Sequence, residues 1–443
     1  MRISIKIVIL VLLLSGAFAL FYKFFYLSTK MADNTGWTPE GLSQVVNSSN
    51  NLGLELFKLI QQNNLNNNII ISPYGVFSNL LLLYNGAGGE TYEELKNVLN
   101  LSEPSYDDPN FGELYDILMN TSGNYELHIA NGLFLNKNYE FKSSFINVAN
   151  NYFLAETKNI DVTDSFGSAE MINNFISQNT NGLINNIVSP SDIDENTLLV
   201  IVNAIYFYGK WATQFNKGDT KPRNFYISPT NVIKVPTMVA NDVSLEDGVF
   251  GNIWVIEIPY KGNDMAMVVI LPYNPYYDLY GYVDNPCDGL EGQNLCNLSD
   301  ILSNLTLNNL YYYLNNLNGT VANELYMPKF SFSDEYNLIP YLESLGINTI
   351  FNPGSSNLSN MINSKGSNEN LYVSLFKQAA YIENNEEGTK AAAVTITEVG
   401  IGAAINIIPR QTIIKINRPF IFMIIDLRTK EILFIGQVVD PQS

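Results

Sequence analysis

Residues 386–397 read EEGTKAAAVTIT, and the run continues as EVGIGAAINIIP to Pro409. These side chains are too small to build a core, and none carries obvious chemistry. In a β-strand, where successive side chains alternate between faces, the run separates into two sets. One parity holds Thr389, Ala391, Ala393, Thr395, Thr397 and Val399, all uncharged and small or β-branched. The other holds Lys390, Ala392, Val394, Ile396 and Glu398, so both charges share a face. A central strand packed on one side and facing solvent on the other has this pattern. No proline falls between Gly388 and Ile408, so no position lacks a ladder donor. EEGT, however, is turn chemistry, and Gly400 and Gly402 loosen the far end. The stretch is compatible with an exposed loop and with an inserted strand. The plain alternative is an edge strand followed by a Gly-rich loop.

The surroundings give the fold class. GLSQVVNSSNNLGLELFKLIQQ (41–62) has apolar residues at helical spacing. NIIISPYGVFSNLLLLYNGAGG (68–89) is a short β-branched run, then Ser72-Pro73 opening a second apolar helix that ends in glycines. Strand-like runs follow at HIANGLFL (128–135), TLLVIVNAIYFYG (197–209), IWVIEIPY (253–260), MAMVVILP (265–272), ELYMPKFSF (324–332) and LYVSLFKQAAYIE (371–383). The end supplies TIIKI (412–416), FIFMIID (420–426) and ILFIGQVV (432–439). Helices come early and long strands late, an α+β arrangement with large, mainly antiparallel sheets. No linker divides the interior, so one large domain is expected over 37–443, after a leader and polar linker over 1–36.

With 46% hydrophobic and 15% charged residues, the chain has the makings of a large packed core. Its net charge of −19 and the lack of a basic patch argue against nucleic acid as a partner. Arg2 and Lys6 precede an apolar run from Ile7 to Leu20, and Ala17-Phe18-Ala19 is a small-x-small cleavage pattern. A cleaved secretory signal peptide is favoured over a membrane anchor, because the segment falls short of the roughly 20 residues a spanning helix needs. The protein is therefore expected to be secreted or to face a lumen. Cys287 and Cys296 are the only cysteines, and in an oxidising compartment they would close a small loop as a disulfide. Sequons at Asn100, Asn297, Asn318 and Asn357, among others, are candidate glycosylation sites.

Enzymatic chemistry finds little support. His128, the only histidine, lies in an alternating strand pattern and reads as structural. There is no G-x-S-x-G elbow and no phosphate loop. The glycines of GAGGE follow a helix instead of opening one, and two cysteines with one remote histidine make no metal site.

These residues do resemble a known family. EEGTKAAA (386–393) resembles the reactive-loop hinge of the serpins, and IKINRPFIFMI (414–424) and LFIGQVVDP (433–441) resemble their C-terminal signature and last strand. INNFISQNTNGLI (172–184), VNAIYFYGKWATQF (202–215), VPTM (235–238), IEIPYKG (256–262) and MPKFSF (327–332) follow the family order. The resemblance implies a single serpin-type domain with an exposed reactive-centre loop at about 386–411. It implies a serine endopeptidase inhibitor, not an enzyme, acting as a monomeric suicide substrate without cofactor or metal. The cleaved loop would insert into the central sheet and trap the acyl-enzyme. A non-inhibitory serpin serving as carrier, chaperone or structural protein is the alternative.

By the same resemblance the hinge is Glu386, Glu387, Gly388, Thr389, Ala391 and Ala393. Ser72, Asn203, Gln378 and Trp211 take the places that hold the sheet closed. Two of those places depart from the family, with Gly75 for a serine and Gln378 for a histidine. The family spacing from Gly388 puts the reactive bond at Gly402-Ala403, a bait for elastase-like or subtilisin-like enzymes. Arg410-Gln411 is the runner-up and would bait trypsin-like enzymes. The stretch from Gly402 to Pro419 is longer than usual for the family.

Overall fold

The structure, a computed structural model, describes residues 31–279, 284–288, 294–363, 370–388 and 412–443. The apolar leader segment Ile7–Leu20 lies outside them. Ala32 is already buried, its N–H donating to Asp116 Oδ1 at 2.7 Å, so the chain joins the body upstream of Trp37. Helix α1 (Pro39–Gln62) begins at Thr38, whose side chain accepts from the Gly41 N–H. Strand β1 (Ile69–Ile71) then leads into helix α2 (Pro73–Gly86). Ser72 caps α2 in an extended conformation, and Pro73 fits the first turn because its missing N–H would be unsatisfied there anyway. Nearly every α2 residue is buried, which marks a core helix. The GAGGE glycines end α2 but also open α3 (Gly89–Val98), with Gly88 as its cap, so the expectation that they only follow a helix was incomplete.

Five strands form one sheet. In spatial order they are β11 (Phe330–Asn337), β13 (Val373–Asn384), β5 (Leu199–Gly209), β2 (Tyr125–Asn136) and β4 (Glu156–Ile160). The β11–β13 and β5–β2 pairs are antiparallel, whereas β13–β5 and β2–β4 are parallel. The antiparallel expectation therefore holds for only half of this sheet. A second sheet holds β1, β16 (Ile432–Val438), β15 (Phe420–Asp426), β9 (Met265–Pro272), β8 (Ile253–Pro259), β7 (Asn231–Phe250), β10 (Asn318–Pro328) and β14 (Ile413–Lys415), with β6 (Lys221–Ser228) on β7. Among the described residues only its β10–β14 pair is parallel, and β3 (Glu140–Phe141) and β12 (Ile362–Asn363) form a separate antiparallel pair.

The main core lies between the sheets and α1 and α2. A smaller one, including Ile172, Ile176, Val200, Val202 and Ala204, lies under the helix Ser165–Asn179 on the other side of the five-stranded sheet. A central strand of this sheet is thus partly roofed by that helix and not simply open to solvent. Cys287 and Cys296 form a disulfide. Among the described residues, no helix is long and apolar enough to cross a membrane.

The C-terminal signature is anchored by a fully buried cation. The Arg418 guanidinium donates to Asp278 Oδ2 at 2.7 Å and twice to the Pro272 carbonyl, at 2.8 and 2.6 Å. Asp278 is buried as well. Removing one member leaves an uncompensated buried charge, a loss of about 3–5 kcal/mol. Arg418→Met is expected to lose about that much in urea unfolding, and adding Asp278→Asn should recover part of the loss.

Candidate functional site

Strand pairing carries three amides to one level. Gln378 on β13 lies opposite Asn203 on β5, and Asn203 lies opposite Asn131 on β2. Gln378 Oε1 accepts from the Ser72 N–H at 3.0 Å, while its Nε2 donates to the Ser72 carbonyl (2.9 Å) and to Asn203 Oδ1 (2.8 Å). Asn203 Nδ2 donates to Asn131 Oδ1 at 2.7 Å, and Asn131 Nδ2 to Ser78 Oγ at 2.9 Å. All five residues are buried. The chain of bonds runs from the start of α2, across the β13–β5 junction, and back to α2. Every polar atom of the Gln378 side chain is engaged, which matters because a buried unsatisfied group costs about 1–3 kcal/mol.

The two departures at Gly75 and Gln378 belong together. A Cβ at residue 75 would lie 2.1 Å from Asn203 Oδ1, so glycine leaves the space the amide row occupies. Asn131 and Ser78 were not singled out in the sequence. An asparagine inside the apolar strand HIANGLFL was the available signal.

Above this row the junction changes. The β13–β5 register ends at Ala380↔Ile205. Yet β13 stays paired to β11 up to Asn384, and β5 to β2 up to Gly209. Each strand keeps its outer neighbour after losing the inner one.

The top is closed by residues 385–388. Residues 385–388 form a turn in which the Gly388 N–H donates to the Asn385 carbonyl at 3.2 Å. Gly388 has φ +92, and a Cβ there would lie 2.3 Å from the Gly209 carbonyl oxygen, so both conformation and space require glycine. The Phe215 N–H donates to the Glu386 carbonyl at 3.0 Å, and the Trp211 N–H to that of Glu387 at 3.3 Å. Trp211 is buried, stacked on Tyr260 at 4.6 Å, and its indole N–H reaches the Asn385 carbonyl at 3.1 Å. Glu386 Oε1 accepts from Thr220 Oγ1 and Oε2 from Lys329 Nζ, both at 2.8 Å, and Lys217 pairs with Glu387. Thr389, Ala391, Ala393, Gly402, Ala403, Arg410 and Gln411 lie outside the described residues. Beside β14, the Thr412 N–H donates to Asn323 Oδ1 and the Thr412 carbonyl accepts from the Asn323 N–H, both at 2.9 Å.

His128 stands apart from this site. It stacks on Tyr206 and lies 3.1 Å from Asn181 Nδ2 and 3.6 Å from Glu126 Oε2, with no serine or cysteine nucleophile beside it among the described residues.

Burial alone would raise the Glu386 carboxyl. The bonds from Lys329, its own backbone N–H and Thr220 outweigh burial and hold it below its usual value. A lowered folded-state value stabilises the fold above the ordinary glutamate range, and that stabilisation disappears as pH falls through the lowered value. Glu386→Gln is therefore expected to lower the melting temperature at pH 7, at a cost of about 1–3 kcal/mol. In calorimetry against pH, the gap between variant and native chain should close below the usual glutamate value of 4.5.

Comparison with known proteins bears on the same features. The family model described as Serpin (serine protease inhibitor) matches residues 47–441. The leukocyte elastase inhibitor of Xenopus laevis is 30% identical over 390 residues, covering 87% of this chain and 97% of that protein. The alaserpin of Manduca sexta is 31% identical over 407 residues, covering 90% and 95%. Native protease nexin-1, crystallised with heparin, superposes with a TM-score of 0.76 at 26% identity over 90% of this chain and 100% of that one. The chain belongs to the serpin family and is not an enzyme.

Proposed function

We propose that this serpin inhibits a serine endopeptidase as a suicide substrate. The observation that carries this reading is the β13–β5 junction. Two parallel strands meet there at the centre of a sheet, and their ladder ends while both strands continue. The chain leaves β13 at Asn384 and reverses at the Glu386–Gly388 turn. A strand returning from that turn between β13 and β5 would run antiparallel to both. One parallel ladder would be exchanged for two antiparallel ones, which are slightly more stable per residue.

Opening the junction separates Gln378 from Asn203. The uncharged parity of the loop, with Thr389, Ala391, Ala393, Thr395 and Thr397, supplies small side chains and hydroxyls for that interior. Lys390 and Glu398 fall on the other face, where Lys377 of β13 is already accommodated by Asp192 and Glu335.

In the reaction, the protease serine Oγ attacks the Gly402 carbonyl carbon. An acyl ester forms, the Gly402–Ala403 bond breaks, and Ala403 leaves with a proton as the new amino terminus. Loop insertion then carries the ester away before water can resolve it. An elastase-like or subtilisin-like target fits the small residues at this bond, and a trypsin-like target would use Arg410–Gln411. The Cys287–Cys296 disulfide supports export through the leader into an oxidising compartment, as a monomer.

Incubation with elastase-like, subtilisin-like and trypsin-like proteases is expected to give an SDS-stable complex and a released peptide beginning at Ala403. The cleaved chain should melt at a higher temperature than the intact one. Cleavage with neither a complex nor a rise in melting temperature would identify a non-inhibitory carrier or chaperone instead.

Thr389→Arg places an unpaired charge on the inward parity, at a cost of several kcal/mol. It is expected to raise the number of inhibitor molecules consumed per protease at least about tenfold, measured by titration of residual protease activity.

A further inference from the structure

We propose that a cleft over β7, β8 and β10 binds a small organic cation, a primary ammonium or guanidinium on a short apolar body, held between Glu257 and Glu246. The cleft has a volume of about 610 Å³, within the usual range for small-molecule sites of about 300–1,000 Å³. Strand register sets Glu246 of β7 directly opposite Glu257 of β8, and Gly319 of β10 beside Glu246, where no side chain can cover the carboxylate. Glu257 retains only 9% of its surface exposure, and what remains faces the cleft. No described residue donates a hydrogen bond to it or forms an ion pair with it. Lys430 acts on it only through its field.

This arrangement is costly without a ligand. Like charges directly opposite each other on neighbouring strands are destabilising, and a carboxylate drawn largely out of water and reached by solvent only through the cleft carries a desolvation cost as well. Burial pushes the Glu257 carboxyl upward, Lys430 opposes that, and Glu246 adds to it. A monocation between the two carboxylates would remove the repulsion and give Glu257 the donor it lacks.

The other walls choose among cations. Pro259, Leu427 and the well-exposed Val321 line the same cleft and offer apolar surface to a short hydrocarbon body. A metal ion is a poorer match, since among the described residues no group of three or more His, Cys, Asp or Glu gathers here or elsewhere. Ala212 and Thr213, between the Trp211 and Phe215 that bond residues 386 and 387, complete one wall of the cleft, but binding between Glu257 and Glu246 needs no opening of the sheet and so does not depend on the inhibitory reading.

Isothermal titration at about pH 8, above the ordinary carboxylate range, tests the proposal with phenethylammonium and its neutral counterpart 2-phenylethanol. The ammonium is expected to bind saturably at one site and the alcohol not to bind. Affinity should fall as pH drops and the proton competes for Glu257. Glu257→Gln should weaken binding at least about tenfold, and its ligand-free form should melt higher than the native chain because a buried charge is gone. Glu246→Gln, at an exposed position, should weaken binding at least about threefold and carries the test if Glu257→Gln folds poorly. No saturable binding of phenethylammonium, equal binding of the alcohol, or unchanged affinity in the variants would overturn the proposal.

Discussion

The direct pairing of β13 with β5 is the constraint on which the rest of this molecule depends. Each strand has a stable antiparallel neighbour on its outer side, while the two meet each other in parallel register. Parallel pairing is slightly weaker per residue, and here it stops before either strand does. A parallel ladder that ends early therefore lies in the middle of the sheet, next to the 385–388 turn. Edge strands are the usual place for strand addition, but in this sheet an interior junction also has unpaired length.

Two polar devices hold that junction, and they work differently. The amide row of Gln378, Asn203 and Asn131 is neutral, buried and fully bonded to both ends of the Ser72–Ser78 segment. A low dielectric makes such a row strong when complete and costly when broken, so it resists partial opening. The latch at the 385–388 turn is ionic and nearer to solvent, with Lys329 and Lys217 meeting Glu386 and Glu387. Its strength varies with pH, whereas that of the row does not. The Gly75 and Gln378 departures follow from packing: a side chain at residue 75 would collide with Asn203, and glutamine reaches both the Ser72 backbone and Asn203.

Much of this was legible in the sequence, for identifiable reasons. Ser72-Pro73 states its helix boundary chemically, and the apolar strands announce themselves by length and β-branching. TLLVIVNAIYFYG became β5 within two residues. ELYMPKFSF became two strands joined at Lys329, because the chain passes there from pairing with β7 in one sheet to pairing with β13 in the other. The disulfide was expected from the cysteine count and is present. Asn131 was missed because a polar residue inside an apolar run is unremarkable until a partner is known.

The sequence by itself determined the helices that begin near residue 41 and at Pro73, the long apolar strands, the turn chemistry of EEGT, and that one parity of residues 389–399 is free of charge. These are local properties, set by backbone preference and by the period of the pattern. Only the tertiary structure decided that β13 and β5 are parallel neighbours, that Gln378 bonds Asn203 across them, and that Glu257 faces Glu246 in an open cleft. Those facts concern residues separated by up to hundreds of positions, and strand order and register, which no local periodicity encodes, bring them together.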